Sequence, residues 1–295
     1  MHSIRSLGLI GLGELCVDNK GLNRAKATKD DEFYTTYPTV FVALMPFVKY
    51  LFHHKVFCNC DGYASNFVKF LSDLIGYDNV WFSDVDYHRT LHSYIYDLVI
   101  TNPPFSKIRD YVSLMLENGI RFILMCPIPS LSSSPIREGL IDGSIDAYPI
   151  PGGCRFYRPD GSLVQLNNIC VIANVYGDRD EYPLAKLYSP EAYRRYCNYD
   201  ALFIDRIKDI PKDYMGKMAV PLTYLQYLNR SEFRIIDIFN KSQRPDCEPL
   251  GEEFVRKLRS KAHYSAGMRV PGIIDESGAY VPFDRAVIQR VAICD

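Results

Sequence analysis

The sequence predicts a doubly wound, mainly parallel α/β sheet followed by a smaller C-terminal region. Three observations lead there. Apolar runs of strand length alternate with amphipathic runs of helix length between residues 55 and 128, two of the strand runs stop abruptly at a polar residue, and from Tyr182 onward the sequence turns tyrosine-rich, charged and irregular. Strands alternating with helices imply parallel pairing, because each return crossover needs a helix, and those helices cover both faces of the sheet.

The first strand is "KVFCNCD" (55–61), a compact apolar run. In "SNFVKFLSDLIGY" (65–77), Phe67, Phe70, Leu71 and Leu74 recur at helical spacing, with Ser65 or Asn66 placed to cap the first turn. "NVWFSD" (79–84) is a second strand ending in an acid, and "YDLVITN" (96–102) a third ending in an amide. "KIRDYVSLMLENG" (107–119) reads as a helix that Gly119 ends, and "RFILMCPI" (121–128) is the fourth strand. Beyond it, "PIPSLSSSP" is a loop, "FYRPDGSLVQ" a hairpin about Pro159, Asp160 and Gly161, and "LNNICVIANV" a strand expected to close the sheet. In such sheets ligands gather outside the carboxyl ends of the strands, where the strand order reverses.

Composition narrows the function. A chain of 295 residues, 47% hydrophobic, supports a large core, and a formal net charge of −1 argues against a uniformly basic nucleic-acid coat. Nine cysteines in no even framework read as reduced, buried thiols; Cys58 and Cys60 form a C-x-C with no second pair at zinc spacing, so no metal is expected. The longest apolar stretch, 40–52, is interrupted by Pro46 and Lys49 and falls short of the roughly 20 residues a membrane span requires. The N-terminal residues offer no convincing cleavage site, and the cytoplasm is the expected location.

The chemistry concentrates in "YDLVITNPPFSKIRDYV" (96–112). An amide, two prolines and an aromatic ring that no apolar sequence neighbour buries stand at the end of a strand. An amino group conjugated to an aromatic ring, as in adenine, is a poor nucleophile because its lone pair is delocalised. A site that accepts both amino hydrogens holds the nitrogen and favours the pyramidal geometry needed for attack. The Asn102 side-chain oxygen supplies one acceptor and the Pro103 carbonyl another. The rings of Pro103 and Pro104 fix the turn, and Phe105 offers a face for stacking on a base. The plainer account is a strand-ending turn in which Asn102 merely caps.

Asn102-Pro103-Pro104-Phe105 matches the (D/N/S)-P-P-(Y/F) motif of S-adenosylmethionine-dependent amino methyltransferases. "AKATKDDEFYT" (25–35), "VFCNCD" with "SNF" (56–67) and "TNPPFSKIRDYV" (101–112) resemble the EcoRI-type DNA adenine-N6 methyltransferases in particular, as does "YCNYDALFIDRIKDIPKDYMGKMAVPLTYL" (196–225), outside the shared methyltransferase core. The resemblance runs from about Lys26 to Phe239. It implies a Rossmann-like methyltransferase sheet with a C-terminal target-recognition region: an arm at 1–25, a cofactor-binding and catalytic domain at 26–181, and a DNA-recognition region at 182–295.

It also implies transfer of a methyl group from S-adenosylmethionine to an adenine flipped out of double-stranded DNA at a specific site. A cognate restriction endonuclease is an expected functional but not physical partner. Asn102, Pro103, Pro104 and Phe105 take the catalytic role; Phe33, Tyr34 and Thr35 correspond to a segment beside the cofactor, Asn59, Cys60 and Asp61 to the place of its methionine part, and Asp84 to the ribose-binding acid, with Asp86 also within reach. The loop "NCDGYASNF" departs from the superfamily's D-x-G-x-G pattern, and "GLIGLGE" (8–14) precedes any βαβ unit and carries no nucleotide role.

Two other readings keep part of this picture: a methyltransferase of RNA bases or protein glutamines, and a catalytically inactive DNA-binding relative. His88 and His92 read as a solvated face. Tyr193, Tyr196 and Tyr199 with Arg194 and Arg195 suit either nucleic-acid contact or packing. The five basic residues from Arg256 to Arg269 are the preferred phosphate-contacting stretch.

Overall fold

The computed structural model describes residues 33–83, 90–91, 94–239, 246–259 and 264–291. The expected N-terminal arm, the glycine run at 8–14, Asp84, Asp86, His88, His92 and Lys261 lie outside the described residues.

The chain runs through β1 (Tyr34–Thr35), α1 (Tyr37–Leu44), α2 (Val48–Leu51), β2 (Val56–Cys58), α3 (Asn66–Ile75), β3 (Val80–Phe82), β4 (Leu98–Thr101), α4 (Ile108–Glu117) and β5 (Phe122–Pro127). Then follow α5 (Ile136–Asp142), β6 (Asp146–Pro149), β7 (Cys154–Tyr157), β8 (Leu163–Leu166) and β9 (Ile169–Ala173). The 40–52 run is taken up by α1 and α2, and among the described residues no helix is long and apolar enough to cross a membrane. Ser65 caps α3, its hydroxyl accepting from the Phe67 N–H at 3.1 Å.

Six strands form one mixed sheet in the order β3-β2-β4-β5-β9-β6. The first four are parallel neighbours, while β9 runs antiparallel to both β5 and β6. The expectation that 166–175 closes the sheet is corrected: β9 is interior, and β6 forms the edge. All five residues of β9 are buried, which demands cover on both faces, whereas β6 ends in a proline that suits an edge.

The period-2 alternation of the parallel strands divides the core. Val56, Cys58, Leu98, Ile100, Ile123 and Met125 face α1 and α3. Phe57, Val99, Phe122 and Leu124 face Ile108, Tyr111 and Met115 of α4 and Ile136 and Leu140 of α5. The expected hairpin forms between β7 and β8, with Gly161 at φ 81°, and β1 adds to it in antiparallel register.

The C-terminal sequence is more regular than its composition implies. It holds β10 (Arg194–Arg195), β11 (Leu202–Phe203), β12 (Lys217–Pro221), β13 (Phe233–Phe239), α6 (Glu252–Arg256), β14 (Ile273–Asp275), β15 (Gly278–Tyr280) and β16 (Arg285–Arg290). Five of these strands make a sheet ordered β10-β11-β12-β16-β13. Two-residue strands are too short to show a period, which hid them. Met218, Val220, Phe233, Ile235 and Ile288 join the same apolar cluster as α4 and α5, so the two sheets share a core.

Tyr196 and Tyr199 are buried against Phe239, which settles packing for these two rings. Of the basic stretch, Lys257 pairs with Glu253, Arg259 with Asp275, and Arg269 donates to the Cys247 carbonyl. Cys58, Cys126, Cys154, Cys170 and Cys247 are buried, Cys60 is half-buried, and Cys197 is exposed.

Candidate active site

The chain leaves β2 toward β3 on one side and reaches β4 on the other, so the strand order reverses between β2 and β4. Asp61 follows β2 and Asn102 follows β4, which sets both at the carboxyl ends flanking this reversal.

Asp61 joins three elements. One carboxylate oxygen accepts from Ser65 at the start of α3 and the other from Thr101 at the end of β4, each at 2.5 Å, and the Asn102 N–H donates to the same carboxylate. Burial pushes the carboxyl above its ordinary value and outweighs the three hydrogen bonds, which pull it down. Among the described residues, no cation contributes.

Asn102 is held from the opposite side. Its Nδ2 donates to the main-chain carbonyl of Phe33 at 2.7 Å, while its Oδ1 is buried with no hydrogen-bond partner among the described residues. Pro103 is buried, and the Pro104 carbonyl accepts from the Lys107 N–H at 2.9 Å, closing the short turn that leads into α4. Phe105 is half-buried. No sequence neighbour accompanies its ring, but residues distant in the chain do: Phe105 stacks on Phe33 at 5.7 Å between centroids and meets Phe156 edge-on at 6.1 Å. Both partners are distant in sequence and arrive through the pairing of β1 with β7, where Tyr34 faces Tyr157 and Thr35 faces Phe156.

Thr35 is buried, its carbonyl accepting from Asn66 Nδ2 at 2.8 Å and its Oγ1 lacking a partner among the described residues. Tyr34 is exposed. Asn59 is fully buried; its Oδ1 accepts from the Tyr111 hydroxyl on α4, and its Nδ2 has no partner among the described residues. Cys60 packs half-buried against the α4 side of the core. The structure thus brings Phe33, Asp61, Asn102 and Phe105 to one corner, with Thr35 linked to it through Asn66; Tyr34 faces solvent, and Asp84 is outside the described residues. Sequence reasoning missed Ser65 as a partner of Asp61, together with Thr101, Tyr111 and Phe156. Only Thr101, adjacent to the motif and following three apolar residues, carried a local signal.

Among the described residues, no group of three or more His, Cys, Asp and Glu side chains is arranged to hold a metal ion. The unpaired Oδ1 of Asn102, Oγ1 of Thr35 and Nδ2 of Asn59 are what a polar organic ligand requires: acceptors and a donor already removed from water.

Comparison with known proteins identifies a family. The family described as "Adenine-specific methyltransferase EcoRI" matches residues 21–79 and 148–290, on either side of the segment that contains Asn102. The chain is 25% identical to the type II methyltransferase M.EcoRI of Escherichia coli over 291 aligned residues, covering 74% of this chain and 89% of that protein. It is 26% identical to M.MpnI of Mycoplasma pneumoniae, covering 73% and 84%, and 25% identical to M.MgeORF184P of Mycoplasma genitalium, covering 73% and 85%; both are named type II methyltransferases. With its β2 corner and its C-terminal sheet both inside the matched segments, this chain belongs to the EcoRI adenine-specific methyltransferase family.

Proposed function

We propose that the protein is a site-specific DNA adenine-N6 methyltransferase that uses S-adenosylmethionine. The observation that carries this is the buried, unpaired Oδ1 of Asn102 beside Phe105 at the strand-order reversal. An unsatisfied buried acceptor costs about 1–3 kcal/mol, and a target amino group would satisfy it. Oδ1 of Asn102 and the carbonyl of Pro103 accept the two N6 hydrogens and turn the nitrogen lone pair toward the incoming methyl carbon. Neither oxygen is basic enough to retain the proton that the nitrogen sheds, which passes to solvent. With Phe33 against one side of its ring, Phe105 offers the other to the extruded base.

The residues assigned to the cofactor are Phe33, Tyr34, Thr35, Asn59, Cys60, Asp61 and Asp84. When bound, S-adenosylmethionine supplies an electrophilic methyl group on a sulfonium. The unpaired Asn59 Nδ2 suits its carboxylate, the unpaired Thr35 Oγ1 its polar groups, and Asp61, with no cation beside it, its positive charge. Double-stranded DNA is the proposed substrate, with catalysis in 26–181 and sequence recognition in 182–295. The type II names of the relatives support a companion restriction endonuclease.

The test is methyl incorporation into duplex DNA, mapped as N6-methyladenine. Modification at one recurring sequence is expected. Transfer only to RNA or protein would overturn the assignment.

A further inference from the structure

An asparagine side chain presents an acceptor and a donor of nearly equal shape, and the reaction proposed above needs the acceptor to face the target nitrogen. Resting on that reaction, we propose that Phe33 is a positioning residue whose main-chain carbonyl commits residue 102 to accept. A carbonyl cannot donate. With Nδ2 of Asn102 bonded to the Phe33 carbonyl at 2.7 Å, turning the amide over would set two acceptors against each other. Oδ1 is therefore held toward the reacting nitrogen before any ligand arrives.

Phe33 is itself well anchored. Its ring contacts Phe105 and Phe156, at 5.7 and 5.9 Å between centroids, and the two residues after it are paired with Tyr157 and Phe156 of β7. Asn66 Nδ2 also grips the Thr35 carbonyl at 2.8 Å. A strut thus runs from the β7 hairpin through β1 to the catalytic corner, which explains in physical terms why a segment ahead of β1 belongs to the site.

The carbonyl also dictates why residue 102 is an amide in this chain. An ionised aspartate there would place negative oxygen against the Phe33 carbonyl and close to Asp61, which accepts the residue 102 N–H. Among the described residues, the titratable groups around this corner are Asp61 and Cys60 after β2 and Tyr111 on α4, none of them cationic; Lys107, in the turn after Phe105, is exposed. An aspartate at 102 would keep its proton to donate to Phe33 and use its other oxygen as the acceptor.

The test compares Asn102→Asp, Asn102→Ser and Asn102→Ala with the parent protein between about pH 5 and 8.5. In ligand-free protein, the folded state of Asn102→Asp binds a proton more tightly than the unfolded chain. Its folding equilibrium should therefore fall relative to the parent by up to about tenfold per pH unit between the unfolded and the folded pKa, and level off above the latter. The same fall should persist with Asp61→Asn added. With saturating DNA and cofactor, its turnover relative to the parent should also drop with rising pH, by up to about tenfold per unit above the pKa of residue 102 in that complex. Asn102→Ser, whose hydroxyl can donate to Phe33 and still accept, should exceed Asn102→Ala by at least about tenfold at every pH. Melting that tracks the parent at all pH values, turnover that rises with pH, a slope abolished by Asp61→Asn, or equal activity of the serine and alanine variants would each overturn the role of the Phe33 carbonyl. A parent protein that methylates no DNA would instead refute the proposed reaction, and the melting series would still decide the carbonyl's role.

Discussion

Asn102 and Asn198 carry the same side chain and put it to opposite uses. Asn198 satisfies everything it has: its Nδ2 donates to the carbonyls of Glu248 and Val270 at 2.7 and 2.8 Å, and its Oδ1 accepts from the Gly272 N–H at 2.9 Å. It ties three segments of the C-terminal region together. Asn102 uses one donor and leaves a buried acceptor unpaired. Two acids repeat the contrast. Asp237, 3% exposed, is neutralised by Arg137 at 2.6 Å, whereas the carboxyl of Asp61 is raised by burial with no cation beside it among the described residues. Asn198 and Asp237 are satisfied within the fold; on the proposed function, Asn102 and Asp61 await a ligand and bear the desolvation cost meanwhile.

Breaking the two asparagines should separate the two uses. Asn102→Ala is expected to slow single-turnover methyl transfer by about 10²–10³-fold while leaving cofactor affinity, measured by calorimetry, essentially unchanged. Parallel loss of affinity would place Asn102 among the cofactor contacts instead. Asn198→Ala should do the reverse. It strands the Glu248 and Val270 carbonyls and the Gly272 N–H, lowering stability in denaturant titration by about 3 kcal/mol, with the rate per folded molecule preserved.

Smaller effects sharpen the comparison. Phe105→Ala removes a stacking surface worth about 1–3 kcal/mol, so the rise in 2-aminopurine fluorescence at the target position should shrink on binding. Unaltered fluorescence would mean that another ring receives the base. Asp61 supplies the least and the most distinctive signal. Because its folded pKa is raised, its contribution to stability is full at low pH and is lost as pH climbs above the ordinary value of 3.8 through the folded one. The melting midpoint of Asp61→Asn, relative to the parent, should therefore improve as pH rises, and saturating S-adenosylmethionine should erase that gain.

Much of this corner was legible in the sequence because its signals are local. The strand ending at Asn102, the helix capped by Ser65 and the hairpin at Gly161 each depend on residues a few positions apart. The contact of Phe33 with Asn102 and Phe105 was not legible, since it depends on β1 pairing with β7 more than 120 residues away, and nothing in "DEFYT" encodes that partner. The β6 edge was missed because four residues ending in proline carry almost no periodicity. The C-terminal sheet was missed because β10 and β11 are two residues each, and because β16 pairs with both β12 and β13 from the far end of the chain.

The central claim concerns one oxygen atom, and a structure of the protein with a non-reactive cofactor analogue and target duplex tests it most directly. The account predicts the extruded adenine with N6 within hydrogen-bond distance of Asn102 Oδ1, and Nδ2 still bonded to the Phe33 carbonyl. An adenine lodged elsewhere, or an Asn102 amide reversed to face N6 with its nitrogen, would contradict it.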